Sequence, residues 1–480
     1  MIATWVQEEL QTVDLHDQRL NERLMDVLDQ LAGHPTASIP AASGGHAEMT
    51  AAYRFFSNSR VSFEQVLAPH REATLRRCGA QATVIAVQDT TEIDLTRPAT
   101  RVEGDGPLDH GARRGLLLHE IQTFTADGTP LGTLAATCWA RDEEPLGHSA
   151  AAHAARHATP IEDKESQRWV EGLRVVRVAA RQLPATRLIC VADSEADIYE
   201  LLAEATAEPQ AYDWIVRGCQ DRALAHEADE NSGLIQARLR EQPVLYETTI
   251  TVRARQSLVS QPKARRKASR TGREATVEVR AAPVTLRPPR RRDRRLPVVT
   301  LNVVLVLERD QPPGEEPIEW LLLTDLPIDR VADVQRVVQL YGVRWMIEVF
   351  FRTLKSGCRV EERRFEKVER LLPCLAVYLI TAWRTLFVCR LGRSCPDANC
   401  EVVFEPAEWR AVYTVIHRTT PPHTPPKLAD MVRLVAQLGG YVNRPRPDPP
   451  GPQTVWLGLQ RTHDLALAWQ TFGPGQPRAP

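Results

Sequence analysis

Two aspartates in this chain stand at the ends of strongly apolar runs: Asp89 closes "TVIAVQD" and Asp193 closes "RLICVAD". A carboxylate at the end of a buried strand loses hydration and needs a cation or hydrogen-bond donors in compensation. Plainer roles exist for both. Asp193 opens "DSEAD", where an acid suits the start of a helix, and Asp89 precedes a Thr pair that suits a turn. A third acid, Glu348, lies in "YGVRWMIEVFFRTLKSG", residues 341–357. Three carboxylates offer only hard oxygen ligands, a set that suits Mg²⁺ or Mn²⁺ rather than zinc. Two such ions, roughly 3.5–4 Å apart, can activate water or a 3′-hydroxyl and stabilise the leaving oxygen of a phosphodiester.

The company of Glu348 fits that chemistry. Tyr341, Arg344, Glu348 and Lys355 are spaced so that, at roughly 100° per residue, they fall within an arc of about 60° on one continuous helix. Val343, Met346, Ile347, Phe350, Phe351 and Leu354 gather mostly on the other side. The narrow polar stripe can be an ordinary solvated helix face. Beside bound metal ions, Arg344 and Lys355 would instead hold DNA phosphates, with Tyr341 donating a hydrogen bond to another.

The elements that must position these residues are legible in outline. Residues 1–70 read as helical, with a capping-box pattern at Ser62 and Gln65. Arg19, Arg23 and Arg54 in this region could face phosphates or simply solvent. From about residue 80, β-branched runs bounded by turn signals alternate with helical segments: three strands with a hairpin at Asp127-Gly128, a helix, the strand "RLICVAD", and a second helix. That order describes a mixed α/β sheet. Residues 225–325 read as a β-rich insertion, followed by the helix over 329–357. Beyond residue 370 come apolar helices and a Pro/Gly-rich tail. The expected domains are 1–70, 71–370 and 371–480.

Composition narrows the class. The chain has 480 residues, 43% of them apolar, with net charge −1, so it can bury a large core and is no polycation overall. Lys263 to Arg295 nonetheless carries 13 basic residues against three acids. That excess suits a polyanion, although "RRRDRR" and its flanking prolines also read as a loop that does not pack. Nine cysteines without a CxxC pair read as reduced thiols, and a zinc site is not expected. No secretory signal and no membrane-spanning window are read, so a cytoplasmic protein is expected, nucleoid-associated when on DNA.

The spacing Tyr341-x2-Arg344-x3-Glu348-x6-Lys355 resembles the Y-(2)-R-(3)-E-(6)-K signature of a group of bacterial DDE insertion-sequence transposases. "QDTT", "ADSEADIY", "DKESQRW", "EWLLLT" and the N-terminal "DLHDQRLNERL…AAYRFF" look similar too, over roughly residues 10–380. The resemblance implies an RNase-H-like catalytic core with a β-rich insertion, a helical N-terminal DNA-end-binding domain and a helical C-terminal region for dimerisation. It implies cut-and-paste transposition through a DNA hairpin, by a homodimer bound to terminal inverted repeats and target DNA. By the same resemblance, Asp89, Asp193 and Glu348 are the catalytic, metal-binding residues, holding two Mg²⁺ for which Mn²⁺ substitutes. Tyr341, Arg344 and Lys355 are DNA-phosphate residues. Trp320 matches a Trp that stacks on a flipped base, though it also suits a buried strand, and Arg217 falls at a hairpin-contacting Arg.

Other readings are a host RNase-H-like nuclease and a non-catalytic DNA-binding inhibitor or decayed copy. The basic segment and end-binding region weigh against the first, and three intact acids against the second. A small-molecule hydrolase leaves the Arg/Lys stripe without a purpose.

Overall fold

The computed structural model describes residues 2–97, 100–109, 112–142, 159–207, 211–225, 233–252, 254, 269–291, 294–442 and 449–474. They form two compact units, neither of them a single stretch of chain. One comprises residues 82–89 and 143–344, and the other residues 1–81, 90–142 and 345–480.

The first unit is built on a mixed sheet. Strand β1 (Thr83–Asp94) begins here and ends in the other unit. It runs parallel to β5 (Arg187–Ala192), which runs parallel to β6 (Tyr212–Gly218). The β5 run "LICVA" is buried throughout, as continuous apolar strands inside a parallel sheet must be. Connections between parallel strands need a crossover, and the helix Tyr199–Thr206 supplies the one from β5 to β6. The helix Gln167–Gln182 buries Trp169, Val170, Leu173, Val176 and Ala180, an i, i+4, i+7 pattern that makes one apolar face.

Beyond β6 the sheet turns antiparallel through β10 (Glu319–Thr324), β9 (Val299–Glu308), β8 (Arg273–Leu286) and β7 (Tyr246–Val252). The stretch 225–325 is thus β-rich, and its strands extend the sheet outward from β6. Part of the basic segment, 263–268 with 292 and 293, lies outside the described residues. Among the described residues of "RRRDRR", two arginines are held rather than loose. Arg291 bonds Glu200 at 2.8 Å and Arg294 bonds Glu162 at 2.9 Å. Acids distant in sequence hold these arginines in place.

In the second unit, β3 (Arg114–Phe124) and β4 (Pro130–Trp139) form the expected hairpin, with the short β2 (Gly106–Pro107) beside β3. The helix Phe63–Gly79 starts at the Ser62/Gln65 capping box. The helix Val368–Ser394 is long and apolar enough to cross a membrane, contrary to the sequence expectation, but 83% of its apolar window is buried inside the protein. It is the core helix of this unit. Helices Pro406–His417, Leu428–Leu438 and Pro452–Phe472 close the chain. The last two approach backbone to backbone: a Cβ at Gly458 would stand 1.9 Å from the Val435 carbonyl oxygen. All nine cysteines are free thiols, and Cys219 and Cys395 are exposed.

The continuous helix expected over 329–357 is in fact three pieces. A helix spans Val331–Gly342, a turn at Val343 and Arg344 interrupts it, a second helix spans Trp345–Arg352, and a π-turn covers Thr353–Gly357. A uniform 100° per residue therefore does not apply across it, and the stripe of four is not one helix face.

Candidate active site

The first unit gathers six of the eight residues singled out in the sequence. In the β1–β5 register Gln88 pairs with Ala192, so Asp89 and Asp193 are the next residues on two adjacent parallel strands, which lie about 4.8 Å apart. The Asp89 side chain is 13% exposed and pairs with Arg344, 5% exposed, through Nη1 to Oδ2 at 3.1 Å. The guanidinium offsets the desolvation of the buried carboxylate. Asp193 directly follows Ala192, the last residue of β5, and its Oδ1 accepts from the Glu195 N–H at 2.8 Å, capping the short 3₁₀ turn Ser194–Ala196.

Around this pair stand the aromatic and cationic candidates. Tyr341 is buried, and burial pushes its phenol above the ordinary range. The Arg344 and Arg217 charges oppose that shift and the Asp193 charge adds to it. Among the described residues its hydroxyl has no partner at hydrogen-bonding geometry. The Trp320 ring meets the Tyr341 ring edge-on at 5.5 Å. Arg217 is half-buried on β6 and donates from Nη2 to the Glu319 carbonyl at 3.1 Å. The chain neighbour of Glu319 is Trp320, so Arg217 braces the strand that carries the Trp.

Glu348 and Lys355 belong to the second unit. Glu348 is exposed on the helix Trp345–Arg352, and Lys355 is half-buried in the π-turn. The Lys355 ammonium lies 3.8 Å from Glu361. Burial lowers its pKa, while Glu361 and Glu92 act the other way. Nothing in the local sequence pointed to Glu361, Glu92, Asp94 or Arg113 as its neighbours, because three of them come from more than two hundred residues upstream. Among the described residues, no group of three or more His, Cys, Asp or Glu side chains is gathered closely enough to hold a metal ion as it stands. The oxygen-only character of Asp89 and Asp193, side by side at adjoining strand positions, nonetheless suits a hard divalent cation.

A separate cluster lies in the helical N-terminal region. Arg19 and Arg23, from the helix Gln18–Gly33, line one groove with His46, Thr50 and Arg54, from the helix His46–Phe56. The sequence raised the three arginines singly. Their convergence, and the added His46, follow from how the two helices pack.

Three protein-family models match the chain. Residues 2–61 match "Transposase DNA-binding", residues 171–373 match "Transposase DDE domain", and residues 380–467 match "Transposase Tn5 dimerisation domain". Of the eight residues first singled out, all but Asp89 fall within the second of these, and Arg19, Arg23 and Arg54 fall within the first. Among solved structures, a cryo-EM structure of a piggyBac transposase synaptic complex with hairpin DNA aligns over 88% of this chain and 83% of that one. Its sequence identity is 10% and its TM-score 0.34.

Proposed function

We propose a mechanism for this chain from the premise that it belongs to the Tn5-like DDE transposases. It is a DNA transposase, an enzyme that binds DNA and forms dimers, of a family that generally uses divalent metal ions. The observation that carries the mechanism is the Asp89–Asp193 pair on neighbouring parallel strands, with Arg344 bonded to Asp89.

In this reading Asp89, Asp193 and Glu348 would hold two Mg²⁺ ions. Such ions, when bound, activate water or a 3′-hydroxyl and stabilise the leaving oxygen of the scissile phosphodiester. The protein's own groups do the rest. Arg344 fixes the orientation of the Asp89 carboxylate and sets its positive charge beside DNA phosphate. Tyr341 donates a hydrogen bond from its hydroxyl to another phosphate oxygen, and Lys355 contributes a point charge. Arg19, Arg23 and Arg54 hold the backbone of the terminal inverted repeat and set its register. Arg217 and Trp320 act on a hairpin intermediate, the indole supplying a π-face for an unstacked base. A homodimer brings two element ends together for cut-and-paste transfer into target DNA.

The test uses purified protein and labelled linear DNA ending in the element's terminal inverted repeat, with Mg²⁺ or EDTA. Wild type gives Mg²⁺-dependent nicking and a hairpin at the element end. Asp89→Asn, Asp193→Asn and Glu348→Gln abolish cleavage and still shift DNA in a gel, because they remove charge and keep shape. Normal cutting by Glu348→Gln would overturn the third carboxylate. Retarded DNA with no cleavage by wild type under any divalent ion would leave a DNA-binding protein without catalysis.

A further inference from the structure

Lys355 is not simply an exposed lysine at a DNA surface. Its ammonium lies 3.8 Å from Glu361 and feels the charges of Glu92, Asp94 and Arg113. Arg113 already serves two of these acids, with Nη1 2.8 Å from Glu92 and Nε 2.8 Å from Asp94. Glu361 is differently placed. Its Oε1 accepts from the Asp94 backbone N–H at 3.0 Å, which ties the turn Val360–Glu362 to the end of β1. The same oxygen lies 3.8 Å from Lys355 Nζ.

That separation is too long for a hydrogen bond and short enough for a strong charge contact. Among the described residues Lys355 Nζ donates no hydrogen bond, so its three N–H groups are not spent on Glu361. We propose that Glu361 is a positioning residue for Lys355: it holds the ammonium in place by charge and leaves the donors for a DNA phosphate. The proposal rests on the reading of Lys355 as a phosphate-binding residue. Two physical effects follow from losing Glu361. The flexible four-carbon stem is released to other rotamers. The half-buried ammonium also loses the carboxylate that most opposes its deprotonation.

The test compares full-length wild type with Glu361→Gln, Lys355→Ala, the double variant and Lys355→Arg/Glu361→Gln. Glutamine keeps an acceptor for the Asp94 N–H, so the turn stays anchored, and an unchanged melting temperature checks this. End cleavage of terminal-repeat DNA in Mg²⁺ is followed from pH 7 to 10. Glu361→Gln is expected to slow cleavage about tenfold and to move the alkaline limb to lower pH. The double variant should be no slower than Lys355→Ala. Lys355→Arg/Glu361→Gln should recover rate and lose the alkaline limb, because a guanidinium does not titrate there.

Normal cleavage by Lys355→Ala would refute the reading of Lys355 and the proposal with it. An impaired Lys355→Ala beside a Glu361→Gln with wild-type rate and pH profile would overturn the positioning role alone. A double variant slower than Lys355→Ala by the full Glu361→Gln factor would place the effect of Glu361 elsewhere.

Discussion

Arg344 and Asp89 are 255 residues apart in the chain and form a nearly buried ion pair, Nη1 to Oδ2 at 3.1 Å. One partner belongs to the signature spacing and the other is a candidate metal ligand. The guanidinium compensates the carboxylate in the folded protein, and under the proposed function it would also serve DNA phosphate.

Removing Arg344 leaves the Asp89 charge without this partner, and breaking a buried pair from one side costs about 3–5 kcal/mol. Arg344→Ala should therefore melt several degrees lower in EDTA. Mg²⁺ should restore part of the loss, because a cation replaces the missing charge. Equal melting temperatures of variant and wild type in EDTA would show that the pair contributes nothing to folding.

The groove of Arg19, Arg23 and Arg54 makes a salt-dependent prediction. Arg54→Ala and Arg19→Ala should each weaken binding to all DNA sequences alike and reduce the slope of log K against log[salt] by about 1. Arg23 is shared with Asp26 at 3.3 Å and should have the smaller effect. Filter binding across a salt series measures all three.

Trp320 packs edge-on against Tyr341 and also beside a small apolar cluster of Val252, Ala275 and Ile318. Trp320→Ala should slow hairpin formation and opening more than the first nick, resolved on denaturing gels. Equal slowing of every step would assign the indole to packing.

Glu120, on β3, is fully buried and, among the described residues, has Thr133 alone as its hydrogen-bonding neighbour, at 2.8 Å; burial pushes its pKa up to about 8. The folded protein thus holds this proton more tightly than the unfolded chain does. The associated stability is complete below about pH 4.5, declines as pH rises and is lost once pH passes about 8. Glu120→Gln does not titrate and keeps an acceptor for Thr133. Relative to wild type it should gain a few kcal/mol between pH 4.5 and pH 8, read from urea denaturation at both values.

Gly357 ends the π-turn that carries Lys355, and a Cβ there would come 2.9 Å from the Trp456 ring on the helix Pro452–Phe472. Gly357→Ala must push that ring or the turn aside, a strain of about 1–3 kcal/mol. Cleavage should fall while binding through the N-terminal groove persists. Unaltered stability and cleavage would mean that Trp456 yields freely.

What the sequence determined by itself was whatever depends on near neighbours. The buried strand runs that lead up to Asp89 and Asp193 follow from β-branched and aliphatic residues, although β1 continues past Asp89 to Asp94, and the hairpin at Asp127-Gly128 and the Ser62 capping box follow from short turn and cap patterns. The signature spacing Tyr341-Arg344-Glu348-Lys355 marked the family for the same reason: it needs only counting along the chain. The tertiary structure decided what depends on strand register and packing. The helix thought to run unbroken to residue 357 is interrupted at Val343 and Arg344, and the burial of Val343, Ile347, Phe350 and Leu354 in two different units is invisible to a helical wheel. Pairing β1 with β5 puts Asp89 next to Asp193, and folding brings Arg344 to Asp89, Glu361 to Lys355, and Glu162 and Glu200 to the arginines of a run that looked unable to pack. Charge acts through space with no preferred sequence separation, so these partners leave no periodic trace along the chain.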